Sequence, residues 1–540
     1  MKKTLKQSLI AAMLLTPAAL SAQSAIDANE INGSDVRGTA RFVAMGGAFT
    51  SLGGDLSSLT QNPAGLGIYR RSEIGLTFDI GRRNYSSESG GYAFSNSQTK
   101  ANFDNFGYVG TANIKNSALR SFSWGVSYNR LNSFHRRHQG YNMPTETSLS
   151  NYIASFTNGV DPSALDFGTN YNPYLDSSED WMSILGYTTY MINPTGTGNF
   201  YNGLHQGSTT GDAAYTVEET GYQDEYNIDF GGNVSDIVYW GIGIGIQDIS
   251  YSRRLLYSES MENAAIATKA SSETVTGDAG FDLDSYKSIS GTGVNLKAGI
   301  IVRPFDEFRI GAAIHTPTWL HLNHQGDAFV NYSYFDPSVH EGRDNPLAGN
   351  EQTDLYDYDS RLRSPWRFMI GASYTILNRA IVSVDYERVQ YQDMHQKYQT
   401  GSTWGGYSYV SDDDTNAEIK SYYKGGDIFR AGVEFRVTPK FSVRAGYNIQ
   451  SSHIREAATQ SGANIVTAGV DPSYNLGKST ENISFGLGYR YKAWYIDLAY
   501  QWKHSEDTFH AFTDFDGQSA PTATFKDNIH SFVISTGFRF

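Results

Sequence analysis

Asn528-Ile-His-Ser-Phe-Val-Ile-Ser-Thr-Gly-Phe-Arg-Phe540 closes the chain and decides how the rest is read. Successive side chains of a strand point to opposite faces. Phe532, Ile534, Phe538 and Phe540 therefore share one face, and Ser531, Ser535, Gly537 and Arg539 the other, with Val533 the apolar exception. Apolar residues outward and small or polar residues inward is the pattern of a closed membrane barrel. An amphipathic edge strand of a soluble sandwich gives the same local pattern, so the remaining sequence has to choose between them.

The other end of the chain predicts export. Lys2, Lys3 and Lys6 precede an uncharged, largely apolar run over 8–20, and small residues follow at Ser21, Ala22 and Ser24. This reads as a signal peptide over 1–22 cut after Ala22, with Ser24 the alternative site. With no cysteine in the chain, neither a lipid anchor nor disulfides are available. After the signal no run approaches the ~18 apolar residues of a spanning helix. Aromatic residues are nevertheless 14% of the chain, with 37 Tyr and 29 Phe, and Gly numbers 54. A closed barrel is the one other way to cross a bilayer with every backbone group paired. The net charge of -14 speaks against nucleic acid as a partner.

Fourteen alternating segments follow, near 72–82, 103–114, 119–133, 224–234, 237–252, 286–302, 307–321, 361–376, 379–393, 426–437, 440–453, 479–491, 493–505 and 528–540. Outward faces such as Ile242, Ile244 and Ile246 stand against inward Gly241, Gly243 and Gly245. Tight links, for example Ser235–Asp236, Leu377–Asn378 and Lys492, alternate with long ones, including 83–102, 134–223 and 253–285. Short periplasmic turns and long outer loops are the habit of outer-membrane barrels. Both chain ends then lie on the periplasmic side, which requires an even strand number. The expected fold is an all-β, 14-stranded antiparallel transmembrane barrel over 72–540, preceded by a separate unit over 23–71.

That preceding unit holds Gly33-Ser-Asp-Val-Arg-Gly-Thr-Ala-Arg-Phe-Val-Ala-Met-Gly-Gly-Ala48 and then Gly54-Asp55 leading to Asn62-Pro63-Ala64-Gly65-Leu66. Asn before Pro favours a turn, and the glycines allow close backbone packing. Two readings fit: Asn62-Pro63-Ala64-Gly65 caps a short helix, or it docks a plug against the lumen wall. The stretch closely resembles the hatch of the FadL family of outer-membrane transporters for long-chain fatty acids and other hydrophobic compounds. Phe429–Tyr447, Arg367–Tyr374 and Val384–Tyr386 look similar too. The resemblance implies a fourteen-stranded barrel plugged by an amino-terminal hatch, with Asn62, Pro63, Ala64 and Gly65 at the gate. It also implies capture of ligand in an outer-loop groove and exit sideways through a kink in the third strand. Here Gly125, between Trp124 and Val126, is the candidate for that bend.

Candidate ligand residues come from two places. Trp181, Met182, Ile184, Leu185 and Tyr187 make an apolar stretch inside a polar outer loop, either a capture surface or a loop packed on itself. Among the inward charges, Arg430 and Arg444 are the candidates to hold a carboxylate by paired hydrogen bonds. The competing reading is an ion-pair network with Asp385, Glu387, Glu434, Arg436, Asp497 and Arg539 that stiffens the wall. His315, His321 and His324 suggest haemin or metal ligation or a polar rim, and Asp412–Asp414 a calcium loop or solvated acids. Gly241-Ile-Gly-Ile-Gly245 lacks dinucleotide-loop spacing, and no hydrolase or phosphate-loop motif occurs, so no catalytic residue, metal or cofactor is assigned.

The expectation is a monomeric, passive outer-membrane transporter of hydrophobic small molecules, foremost long-chain fatty acids, and not an enzyme. A surface or secretion platform without transport, or uptake of haemin or aromatic compounds on the same scaffold, are the alternatives. Outer-membrane lipid and lipopolysaccharide surround it, and Phe538 and Phe540 present the signal to the barrel-assembly machinery.

Overall fold

The computed structural model describes residues 24–195, 198–267, 274–335, 346–403, 406–460 and 462–540. The signal expected over 1–22 lies outside them. Fourteen spanning strands make the wall: β1 (Glu73–Ser89), β2 (Tyr92–Asn113), β3 (Leu119–Ser133), β4 (Thr210–Val234), β5 (Val238–Ala267), β6 (Thr274–Phe305), β7 (Phe308–His315), β8 (Arg367–Ile376), β9 (Ala380–Val389), β10 (Gly426–Arg436), β11 (Phe441–Gln450), β12 (Tyr474–Tyr491), β13 (Trp494–His510) and β14 (Thr522–Arg539). Each pairs antiparallel with its neighbours in sequence. β14 pairs with β1, Phe538 opposite Ile74, and closes the sheet. The seam ends in a reciprocal pair of 3.0 Å bonds between Ser72 and the backbone of Phe540. Phe538 and Phe540 stack at 5.9 Å, and Phe540 faces outward, 56% exposed.

The long links hold far more strand than expected. The 83–102 stretch is the tip of the β1–β2 hairpin. β4, β5 and β6 run 25, 30 and 32 residues, against the ~9–11 a bilayer requires. The cause lies in side-chain polarity. On β5, Ile242, Ile244 and Ile246 face lipid. Beyond them the same outward phase carries Asp248, Ser250, Ser252 and Ser258, while inward Tyr251, Leu255, Tyr257 and Met261 are buried. The alternation keeps its phase and reverses its polarity, because outside the bilayer water is on the outside and the core is within.

That core is filled by the chain between β3 and β4. Helices α3 (Leu149–Thr157) and α4 (Trp181–Thr188), counted after the lumen helices α1 (Ala25–Glu30) and α2 (Ala40–Ala44), pack with inward residues of β4, β5, β6 and β13. The stretch Trp319–Phe335 beyond β7 completes the wall of this cap.

Residues 24–69 lie inside the barrel. Ala40 N–H donates to Ser535 Oγ on β14 (2.7 Å), Thr50 N–H to Asp385 Oδ2 on β9 (2.7 Å) and Asn62 Nδ2 to Ala312 O on β7 (3.4 Å). Inward glycines give the wall its recess. A Cβ at Gly241 would collide with the Pro63 carbonyl, and one at Gly311 with that of Thr50.

Candidate functional site

Between the lumen segment and the cap lies a cavity of about 120 Å³. Its floor is Ser34–Arg37 with Gln61, and its walls carry Arg130, Glu225, Lys297, Arg367, Glu387 and Arg430. The strand period aims Glu225, Lys297, Arg367, Glu387 and Arg430 inward from β4, β6, β8, β9 and β10, whereas Arg130 has the phase of outward Trp124 and Val126 and lines the chamber beside the register shift that follows it on β3. Arg367 Nε donates to Glu387 Oε1 at 2.6 Å, and its Nη2 reaches Ser34 Oγ at 2.9 Å. Arg430 pairs with the other oxygen of Glu387, and Lys297 pairs with Glu225 while donating to Asn227 Oδ1 at 2.8 Å. Arg37 joins Asp79 (3.1 Å) and Asp104 (2.6 Å). Arg430 Nη1, Arg37 Nε and Gln61 Oε1 are buried without a protein partner among the described residues. The chamber therefore offers both donors and acceptors to a polar group. Its volume falls below the ~300 Å³ of a typical small-molecule site, so a long apolar molecule would need the surrounding segments to give way.

An apolar collar sits above. Ala25, Ile26, Ala28 and Ile31, in and just after α1, pack with Ile249, Tyr251, Leu320, Leu322, Tyr391 and Tyr423. Lys287 holds Asp27 at 2.6 Å, and His453 Nε2 lies 2.6 Å from Asn29 Oδ1. Burial, outweighing attraction by Lys287, pushes the Glu30 carboxyl up.

Below the chamber lie Asn62, Pro63, Ala64 and Gly65, the residues that the resemblance places at the gate. Asn62 Oδ1 accepts from Ala64 N–H (3.0 Å) and so caps the turn Pro63–Ile68, while Nδ2 donates to Thr50 O (2.6 Å). Gly65 lies so close to Gly53 that a Cβ on the latter would sit 2.7 Å from the Gly65 Cα. Asp55, whose carboxyl burial pushes up against the pull of Arg41, accepts from Thr39 Oγ1 at 2.6 Å.

The two arginines proposed as carboxylate ligands separate. Arg430 lines the chamber. Arg444 does not: it is spent on Glu434 (2.7 Å) and Asp497 (2.6 Å), and Glu434 also takes Arg41 of the lumen segment (2.8 Å). The network reading holds there.

Trp181, Met182, Ile184 and Leu185 are 7, 5, 0 and 1% exposed, so they form the cap core rather than an open capture surface. Only Tyr187 is half-buried at its edge. α4 turns its apolar residues inward against α3, where Thr157 and Ser183 hydroxyls meet at 2.7 Å. Leu185→Ala should lower cap stability by about 2–5 kcal/mol. Hydrogen exchange confined to 149–192 would detect it, with the barrel strands unchanged.

The bend foreseen at Gly125 is missing from the ladder, which runs in register through Val109–Gly125–Asp229. Gly125 instead admits Leu59 and Leu66 of the lumen segment, which would lie 3.2 and 3.3 Å from a Cβ there. The wall is interrupted elsewhere. Between β7 and β8, His315 faces Arg367 and the next regular pair is Trp319 with Arg363. Residues 316–318 and 364–366 lie between, each centred on a proline, and proline brings no N–H to a ladder. Ser364 N–H to Thr318 O (3.0 Å) and Thr318 N–H to Ser364 Oγ (2.7 Å) bridge the gap. Thr316, Thr318, Ser364 and Pro365 line the chamber, and Trp319 marks the outer side, 54% exposed.

The three histidines do not converge. His315 Nε2 lies 2.9 Å from Gln61 O, His324 stacks on Tyr358 and His321 meets Tyr409. Among the described residues no group of side chains has metal-ligating geometry. Asp412 caps helix α5 (Asp413–Tyr422), accepting from Thr415 N–H at 3.1 Å. In α5, burial first, then Asp412 and Asp414, push the Glu418 carboxyl up to about 7 from the ordinary 4.5. A raised folded-state value means proton uptake on folding. The contribution of Glu418 to outer-loop stability is full below about pH 4.5 and is lost as pH rises through about 7. Hydrogen exchange of 413–422 should quicken across that interval, and Glu418→Gln should flatten the dependence.

No family model matches the sequence, and no curated protein matches it. Solved structures do match. A Pseudomonas aeruginosa FadL homologue aligns over 94% of this chain and 99% of its own, with 12% identity and a TM-score of 0.51. The Pseudomonas putida toluene transporter TodX covers the same shares at 14% identity and a TM-score of 0.48. The Ralstonia pickettii toluene transporter TbuX matches 94 and 99% at 15% identity and a TM-score of 0.42. The chain thus has the fold of the FadL-type barrel.

Proposed function

We propose that this chain is a passive conduit of the bacterial outer membrane for hydrophobic molecules that carry an acidic head, long-chain fatty acids foremost. The observation that supports this most is the unpartnered, buried Arg430 Nη1 in a polar chamber between an apolar collar and a lumen segment tied to the wall by hydrogen bonds. In this reading the ligand's tail displaces α1 from the collar, its carboxylate meets Arg430 Nη1, and residues 33–66 act as the hatch that shifts for release. Exit is sideways at the β7–β8 interruption, which adjoins the chamber, rather than at Gly125. The solved barrels that share the fold include one described as a FadL homologue and others described as toluene transporters, so neutral aromatics are the competing cargo.

Arg430→Gln discriminates between them. A charge-assisted hydrogen bond is worth about 1.5–3 kcal/mol, so oleate binding to purified protein should weaken by about 10- to 100-fold while toluene binding is unmoved. Equal loss for both, or for neither, removes the acidic-head reading. The buried core of the cap is the observation that favours a surface platform instead. Wild-type protein that binds neither probe would leave that reading standing.

A further inference from the structure

We infer that the periplasmic rim between β8 and β13 is a binding site for the phosphodiester headgroup of an anionic phospholipid. The turns here are 377–379, 437–440 and 492–493, and they bring Arg379, Arg436, Lys440, Arg490 and Lys492 to one edge. Backbone bonds make the edge continuous: Arg436 N–H donates to Arg379 O (2.7 Å) and Arg490 N–H to Lys440 O (2.8 Å). At ~4.8 Å per strand the arc from β9 to β13 spans roughly 20 Å.

No Asp or Glu lies in 376–380, 436–442 or 489–496. The nearest acids along these strands are taken: Glu434 and Asp497 by Arg444, and Glu73 by Arg539 at 2.7 Å. Among the described residues none of the five cations has an ion pair, and all five are exposed. Elsewhere on the rim Arg70 pairs with Asp236 (2.6 Å) and Arg303 with Asp306 (2.9 Å). Arg71, Lys115 and Arg120 on the same edge are also exposed and without an ion pair among the described residues, but only the β8–β13 sector sets two ammonium groups against one outward ring.

The aromatic residues fix the depth of that charge and hence its partner. Tyr489, Tyr491 and Trp494 face outward, 44, 49 and 59% exposed, as the inner aromatic girdle does at headgroup level. Lys440 Nζ and Lys492 Nζ lie 5.5 and 5.4 Å from the centroid of the same Tyr491 ring. Both ammonium groups are therefore held on the lipid-facing surface rather than reaching freely toward the periplasm. Both cations border one interfacial ring at the height of the lipid phosphates, and the exposed Phe485 and Leu487 of β12 continue from it as a surface for the acyl chains.

The test uses the full chain purified into phosphatidylcholine nanodiscs, with phosphatidylglycerol titrated in and retained lipid weighed by native mass spectrometry. Wild type should retain phosphatidylglycerol in preference to phosphatidylcholine. The pair K440Q and K492Q should lower that retention roughly thirtyfold, about fivefold for each ammonium. Lys115→Gln, on the β2–β3 turn, should leave it unchanged. Thermal unfolding of each variant separates lost binding from a lost fold. Equal retention of the two lipids by wild type, or no effect of the double change, overturns the site. Release of the lipid by inorganic phosphate would reduce it to a free-anion site and overturn the lipid assignment. Binding of poly-glutamate that depends on the five cations, without phosphatidylglycerol preference, would make it a protein-docking surface and overturn it equally.

Discussion

Removing residues 24–66 should turn a closed barrel into stable open channels in planar bilayers. The deletion takes away the chamber floor, α1 from the collar, and the cations Arg37 and Arg41. Asp79 and Asp104 would lose Arg37, and Glu434 would lose one of its two arginines. Asp385 would lose the Thr50 N–H. Lys287 and Lys503 would in turn lose Asp27 and Asp35, so the emptied lumen is left with unpaired groups of both signs and should conduct without strong ion selectivity. The barrel should still assemble and shift on heating in gels, because every strand keeps both neighbours. Unchanged conductance would assign the barrier to the outer cap rather than to the lumen segment.

Arg444→Leu should destabilise the barrel by about 3–5 kcal/mol, the cost of breaking a buried pair from one side. Arg444 is 1% exposed at its side chain and bridges Glu434 to Asp497, so its loss leaves Asp497 without a cation. Arg41 still reaches Glu434, which keeps the effect from spreading to the whole lumen segment. Denaturant unfolding in micelles would measure the cost. Oleate binding at neutral pH should be retained, in contrast to Arg430→Gln. A variant that loses binding yet keeps its stability would return Arg444 to the ligand site.

The strand faces could be read from residues because each spanning strand meets lipid on one side only. Ile242, Ile244 and Ile246 report that boundary directly. What lies beyond the bilayer was hidden for the same reason. Once Ser250, Ser252 and Ser258 occupy the outward phase and Tyr251, Leu255 and Tyr257 the inward one, a reader seeking apolar-out strands meets a loop. The 181–192 stretch shows the complementary failure. Its apolar composition marked it as special, but composition does not tell a core from a groove, and α4 faces inward.

Arg430 and Arg444 share parity, residue type and a neighbouring acid. Only their height relative to the lumen segment separates them, and strand alternation carries no height. Arg37 was missed because the lumen segment has no period to read. The β7–β8 interruption, by contrast, did leave a signal. Pro317 and Pro365 each stand inside a segment read as strand, and proline there marks an edge or an irregularity.

Ligand should pass through the lumen only when the segment inside it moves. The chain has no cysteine, so one engineered pair reports without background. A Cβ added at Gly371 of β8 would lie 3.0 Å from the Thr50 Cβ and 2.1 Å from Asp385 Oδ1, so a disulfide at its usual ~3.8 Å forms once the Asp385 carboxylate turns aside and the two backbones part slightly. Cells lacking their own transporter and carrying T50C with G371C should take up labelled oleate at background rate when oxidised. Uptake should return to the wild-type rate on reduction. Oxidised and reduced protein that transport equally well would mean that ligand crosses without any movement of the lumen segment.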